Sequence, residues 1–164
     1  MKNIVIHWTA GRHYPSEFEK QHYHFLVDKD GKVHAGLFKP EDNVICKPGK
    51  YAAHTGGGNT KSIGIAICAM AGFKNSLNPG NYPITKKQFE STMEFCASLA
   101  KKYNINVSSQ NIYTHYEFGL KNPKTSSAGK IDIVYLPPYP WIDKSEVGSF
   151  IRSKIKWYFM KIKE

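Results

Sequence analysis

The stretch Ile63–Ala71 is the longest apolar run in the chain, and its length decides which folds are open to it. Gly64 interrupts it, and it falls far short of the roughly 20 residues a helix needs to cross a bilayer. Ser62 to Met70 instead reads as a strand buried on both faces, which requires a packed layer above and below it. The flanking sequence supplies both kinds of partner. Residues 3–7 read as another buried strand. Tyr23 to Val27 and Lys32 to Gly36 flank Asp28-Lys29-Asp30-Gly31, a hairpin signal, and Ile112 to His115 reads as a further strand.

Helical patterns alternate with these strands. Ser16 to Gln21 is helix-compatible, with Ser16 placed to cap it. Thr85-Lys86-Lys87-Gln88 is a capping box that opens a helix to about Tyr103, and Phe89, Met93, Cys96, Ala100 and Tyr103 recur on one face. Asp143-Lys144-Ser145-Glu146 reads as a second capping box, starting a basic amphipathic helix at about 144–163. Residues 38–51, 79–83 and 122–129 read as loops, and Pro137-Pro138-Tyr139-Pro140 as a stiff connector. The expected class is α/β: one domain over residues 1–164, with a central mixed β-sheet flanked by helices.

Charge narrows the partners. The chain carries 23 Lys and Arg against 13 Asp and Glu, a net charge of +10. Such an excess suits a polyanion, either an anionic membrane surface or an acidic wall polymer; no nucleic-acid signature accompanies it. Cys46, Cys68 and Cys96 have neither metal-like spacing nor an even count, so they read as free thiols of a reducing compartment. The N-terminal apolar stretch is too short for a signal peptide, so synthesis and initial retention in the cytoplasm are expected.

Three separated elements carry chemistry. His7 follows Ile4-Val5-Ile6, His115 follows Ile112-Tyr113-Thr114, and Asp132 stands two residues after Lys130. Two imidazoles and a carboxylate form the ligand set of a catalytic zinc that keeps a position open for water. Lys130 shares the face of Asp132 if the segment is extended, so it can stand beside that water. This points to a metal-dependent hydrolase. His22 and His24, at i and i+2, form the competing metal pair, while His13 and His34 read as surface residues. His54-Thr55-Gly56-Gly57-Gly58-Asn59 lacks the spacing of a phosphate loop. It reads as a flexible substrate-side loop or as a plain turn.

At these residues the chain resembles the zinc-dependent N-acetylmuramoyl-L-alanine amidases, a family that includes phage lysozyme-type amidases and peptidoglycan recognition proteins. The matching segments are His7-Trp8-Thr9-Ala10-Gly11, Tyr23-His24-Phe25-Leu26-Val27 with Asp30-Gly31, and His54-Thr55-Gly56. Ser62-Ile63-Gly64-Ile65, Thr85 with Gln88, Thr114-His115, and Lys130-Ile131-Asp132 followed by Trp141 continue the series in order. The resemblance implies zinc ligation by His7, His115 and Asp132, catalytic assistance by Tyr23 and Lys130, and peptidoglycan as substrate. It also implies contacts to substrate from Trp8, His54, Thr55 and Asn59. Ala66 stands where some members carry a catalytic glutamate, which favours the phage-type arrangement of tyrosine and lysine. Ile133-Val134 follows Asp132 where Pro-Gly is common, and Glu117 and Asp143 are the nearest alternative carboxylates. The implied setting is a monomeric phage endolysin acting on the cell wall after release. A cytosolic wall-recycling amidase and a non-catalytic peptidoglycan-binding module are the alternatives.

Overall fold

A computed structural model describes residues 1–162. Its centre is a five-stranded mixed sheet built from β1 (Asn3–Trp8), β2 (Phe25–Val27), β3 (Val33–Ala35), β4 (Ser62–Ile67) and β5 (Ile112–Thr114). The order across the sheet is β3-β2-β4-β1-β5. The β2–β3 hairpin is antiparallel and every other pairing is parallel. Four helices complete the fold: α1 (Glu17–Lys20), α2 (Lys86–Tyr103), α3 (His115–Lys121) and α4 (Val147–Lys161).

The two faces of the sheet differ because strand side chains alternate. Ile4, Ile6 and Trp8 of β1 sit in register with Ile63, Ile65 and Ile67 of β4, and all six join the hydrophobic core. Against them α2 sets Phe89, Met93, Cys96, Ala97 and Ala100, and α4 adds Val147, Ile151 and Ile155. Each of the larger side chains contributes roughly 1.5–3 kcal/mol by leaving water. On the opposite face β4 presents Gly64 and Ala66, paired with Val5 and His7. A β-carbon added at Gly64 would stand 2.4 Å from the His54 ring. Glycine there leaves room for the His54 imidazole against the strand, 5.3 Å from the His7 ring between centroids.

Caps set where the helices begin. Ser16, Thr85 and Thr114 each accept from the amide three residues on, and Glu19, Gln88 and Glu117 return the bond. Gln88 does more: wholly buried, its side-chain amide donates to the Val27 and Cys68 carbonyls at 3.0 and 2.7 Å, pinning α2 to the ends of β2 and β4.

Several expectations change. The strand expected to end at His115 stops at Thr114, and His115 is the first residue of α3. The Thr114–Glu117 capping box forces that break, because Glu117 is positioned to return the Thr114 amide bond. Asp143 does not cap α4: its carboxylate accepts from the Ser145 amide and hydroxyl, and α4 starts at Val147 without a side-chain cap. The helix expected at 144–163 therefore spans Val147–Lys161, and Lys163 lies outside the described residues. The loop at 38–51 contains a 3₁₀ turn, Pro40–Asn43. His13 and His34 are half-buried and bonded, His13 to the Pro83 carbonyl and His34 to Asp28, both at 2.8 Å.

Candidate metal centre

His7 at the end of β1 and His115 just past β5 open at the carboxyl edge of adjacent parallel strands, where open α/β sheets place their ligands. Asp132 arrives from the loop after α3, and its backbone carbonyl accepts from the Tyr116 amide at 2.6 Å. All three side chains are buried, and one ligand atom from each lies within 4.8 Å of the others. Asp132 Oδ2 is 2.8 Å from His7 Nδ1, and its Oδ1 is 3.3 Å from His115 Nδ1. Among the described residues this is the one cluster of three or more histidine, cysteine or acidic side chains that can hold a metal.

Electrostatics suit a cation. Burial dominates His7 and lowers its pKa, outweighing the pull of Asp132, so the ring is neutral and basic at neutral pH. Burial alone would raise Asp132, but the close His115 and His7 rings hold its carboxyl below the ordinary range. Two imidazoles and one carboxylate around a common point are a sound donor set for zinc, so the residues fit the metal that the sequence implies.

His115 and Asp132 line a cavity of about 660 Å³ together with Trp8, Tyr23, His54 and Lys130, and His7 stands fully buried against His115, 4.7 Å between ring centroids. The Tyr23 ring packs 5.1 Å from that of His7. Burial, followed by the Asp132 charge, raises the pKa of its phenol strongly, so it is a hydrogen-bond donor rather than a base. Lys130 is exposed at the rim. Trp8 is nearly buried and rests against Phe73, 5.1 Å between centroids.

Thr55 and Asn59 lie outside the cavity lining. Asn59 Oδ1 accepts from the amides of His54 and Thr55 at 3.0 and 2.8 Å, and Thr55 is fully buried. The loop expected to be flexible is thus held by its own side chains. The competing histidine pair does not assemble. His24 is buried between Asn43 Oδ1 (2.8 Å) and the Gly64 amide (3.0 Å), whereas His22 faces the cavity and the Ala53 carbonyl. Neither alternative carboxylate reaches the centre: Glu117 is spent on the Thr114 amide and Arg152, and exposed Asp143 on Ser145.

Phe18, Glu19 and Phe73 also line the cavity, and sequence reasoning did not find them. Phe18 and Glu19 sit on a four-residue helix with no buried side chain, and Phe73 in an irregular loop, so no periodicity marks them.

The fold is shared with known structures. A mutant of PlyL is 24% identical, with a TM-score of 0.55 over 94% of this chain and 84% of that one. Bumblebee PGRP-SA is 15% identical, with a TM-score of 0.50 over 87% and 83%. No functionally curated protein matches the sequence significantly. The sequence model of the N-acetylmuramoyl-L-alanine amidases, in contrast, matches residues 1–130, which include His7, Tyr23, His115 and Lys130 and end just before Asp132. With that match over most of its length, the chain belongs to the N-acetylmuramoyl-L-alanine amidase family.

Proposed function

We propose that this protein hydrolyses the amide joining the lactyl group of N-acetylmuramic acid to L-alanine of the peptidoglycan stem, with zinc held by His7, His115 and Asp132. The observation that carries the reading is the convergence of those three ligand atoms, two of them from residues that line a cavity together with Tyr23 and Lys130. An amide is a poor electrophile and water a poor nucleophile; zinc, when bound, polarises the carbonyl and lowers the pKa of water to about 7.

The chain's own groups supply the rest. Asp132 keeps its negative charge through the physiological range and offsets part of the metal's. Tyr23 keeps its proton and can donate a hydrogen bond to the oxygen on which charge develops. Lys130, exposed at the rim of the same cavity, offers a cation to that oxygen. Trp8, Phe73 and Ile131 give the cavity apolar walls suited to the methyl groups on either side of the scissile bond.

The biological setting we infer is wall lysis of the endolysin kind, in keeping with a net charge of +10 and an anionic wall. No helix among the described residues is long and apolar enough to cross a membrane. Part of the basic charge is committed internally: Arg152 pairs with Glu117 and Lys154 with Glu90. Lys156 and Lys161, beside exposed Trp157 and Met160, remain for an anionic envelope surface. Purified sacculi incubated with the zinc-loaded protein test the reaction. New alanine amino groups support it; new reducing sugar ends, or neither product, overturn it.

A further inference from the structure

The hydrogen bonds behind the two histidines fix which nitrogen of each ring is left to bind a metal. His54 Nε2 lies 3.1 Å from the Ser62 carbonyl oxygen, which can only accept, so Nε2 carries the proton. With Nε2 as the ring's donor, Nδ1 of this tautomer is a bare lone pair. The Thr55 hydroxyl, 2.7 Å away, must give that lone pair its single proton. Thr55 Oγ1 therefore has only lone pairs for His7 Nε2, which stands 3.3 Å from it and 3.3 Å from His54 Nδ1. Facing two acceptors, His7 Nε2 is protonated and its Nδ1 is free.

The same loop arranges His115. Ser127 Oγ donates to the Gly56 carbonyl at 2.7 Å, which spends its only proton. His115 Nε2, 2.9 Å from Ser127 Oγ, must then donate, and its Nδ1 is free as well. Both free nitrogens turn towards Asp132, at 2.8 and 3.3 Å. Lone pairs aimed at a carboxylate repel it unless a cation lies between them.

We propose that Thr55 and Ser127 are positioning residues that commit His7 and His115 to Nδ1 ligation, each through a relay ending on a backbone carbonyl. In this reading, which rests on the zinc assignment above, Thr55 and Gly56 serve the metal by orienting its histidines, while His54 also lines the cavity. Asn59, by holding the His54 and Thr55 amides, keeps the first relay in place. Metal-bound histidines depend on such partners for ring orientation and basicity, and losing one costs about 10–100-fold in affinity.

The test uses zinc-loaded protein carrying ¹⁵N-labelled histidine, with long-range ¹H–¹⁵N spectra to read which ring nitrogen bears the proton. His7 and His115 should both show zinc on Nδ1 and hydrogen on Nε2. In chelator competition, Thr55→Val and Ser127→Ala should weaken zinc binding about 10–100-fold, and Thr55→Ser, which keeps the hydroxyl, should restore it. Ligation through Nε2 of either histidine would overturn the proposal. So would a folded Thr55→Val protein that binds zinc as tightly as the wild type. Should the valine variant fail to fold, the wild-type spectra decide alone. A wild type that takes up no zinc would overturn the metal assignment itself, a different failure from zinc on the wrong nitrogen.

Discussion

Glu117→Ala should be among the most destabilising changes outside the core, because one carboxylate ties together three segments. Its two oxygens accept from the Arg152 guanidinium at 2.9 and 3.0 Å, and Oε1 also accepts from the Thr114 amide that opens α3. Arg152 in turn reaches the Ile112 carbonyl of β5 at 3.1 Å. Gly148 is what lets α4 come this close, since a β-carbon there would stand 2.3 Å from the Glu117 carboxylate. Breaking a fully buried pair from one side costs about 3–5 kcal/mol, and an exposed one about 0–1. The side chains here are 22% and 16% exposed, so about 2 kcal/mol is appropriate. Losing half the capping box adds about 0.5–1 kcal/mol. The total, about 2.5–3 kcal/mol, corresponds to a fall of roughly 5–12 °C in Tm for a domain of this size. Calorimetry and urea titration of Glu117→Ala, Arg152→Met and the double variant measure it. The double variant should lose much less than the sum of the singles, because neither charge is then left unpaired. A Glu117→Ala protein melting within about 2 °C of wild type, or strict additivity, would refute the reasoning.

Lys130→Ala and Tyr23→Phe should retain zinc while amine release from sacculi falls about 10²–10³-fold in kcat, the usual cost of one oxyanion donor; wild-type turnover by either would remove that residue from the chemistry. Acid should destabilise the fold through His24, whose pKa burial lowers to about 4. The neutral buried ring favours folding above the unfolded value of 6.5, and about 3 kcal/mol is lost as pH falls from there towards 4. His24→Gln should be weaker at pH 7 yet flatter between pH 7 and 4.5 in urea titrations; an unchanged slope would assign the acid limb to other groups. Lys156→Glu combined with Lys161→Glu should reduce binding to anionic vesicles and sacculi at low salt without moving Tm, and unchanged binding would make the outer face of α4 merely structural.

What was legible in the sequence was whatever depends on local pattern. The Ser62–Ile67 strand announced itself by the apolar run that led to its reading as Ser62 to Met70, and α2 by its capping box and apolar spacing. The clustering of His7, His115 and Asp132 was legible because the two histidines directly adjoin apolar strand runs and Asp132 sits beside Lys130. What was hidden depends on partners far apart in the chain. Asp143 has the spacing of a cap, but its carboxylate turns to Ser145, two residues on. His54 and Thr55 look like loop residues until β4 supplies the Ser62 carbonyl and the bare surface of Gly64. Arg152 and Lys154 read as solvated charges until Glu117 and Glu90 arrive from other helices.

Metal analysis of the wild type beside His7→Ala, His115→Ala and Asp132→Ala tests the central claim most directly. Each protein would be dialysed against trace zinc, checked for native folding by circular dichroism, and assayed for bound metal. One zinc per wild-type chain is expected, with loss of tight binding in each variant and the fold intact. Full zinc content in any folded variant, or retention by all three with loss in a His22→Ala/His24→Ala protein, would contradict it.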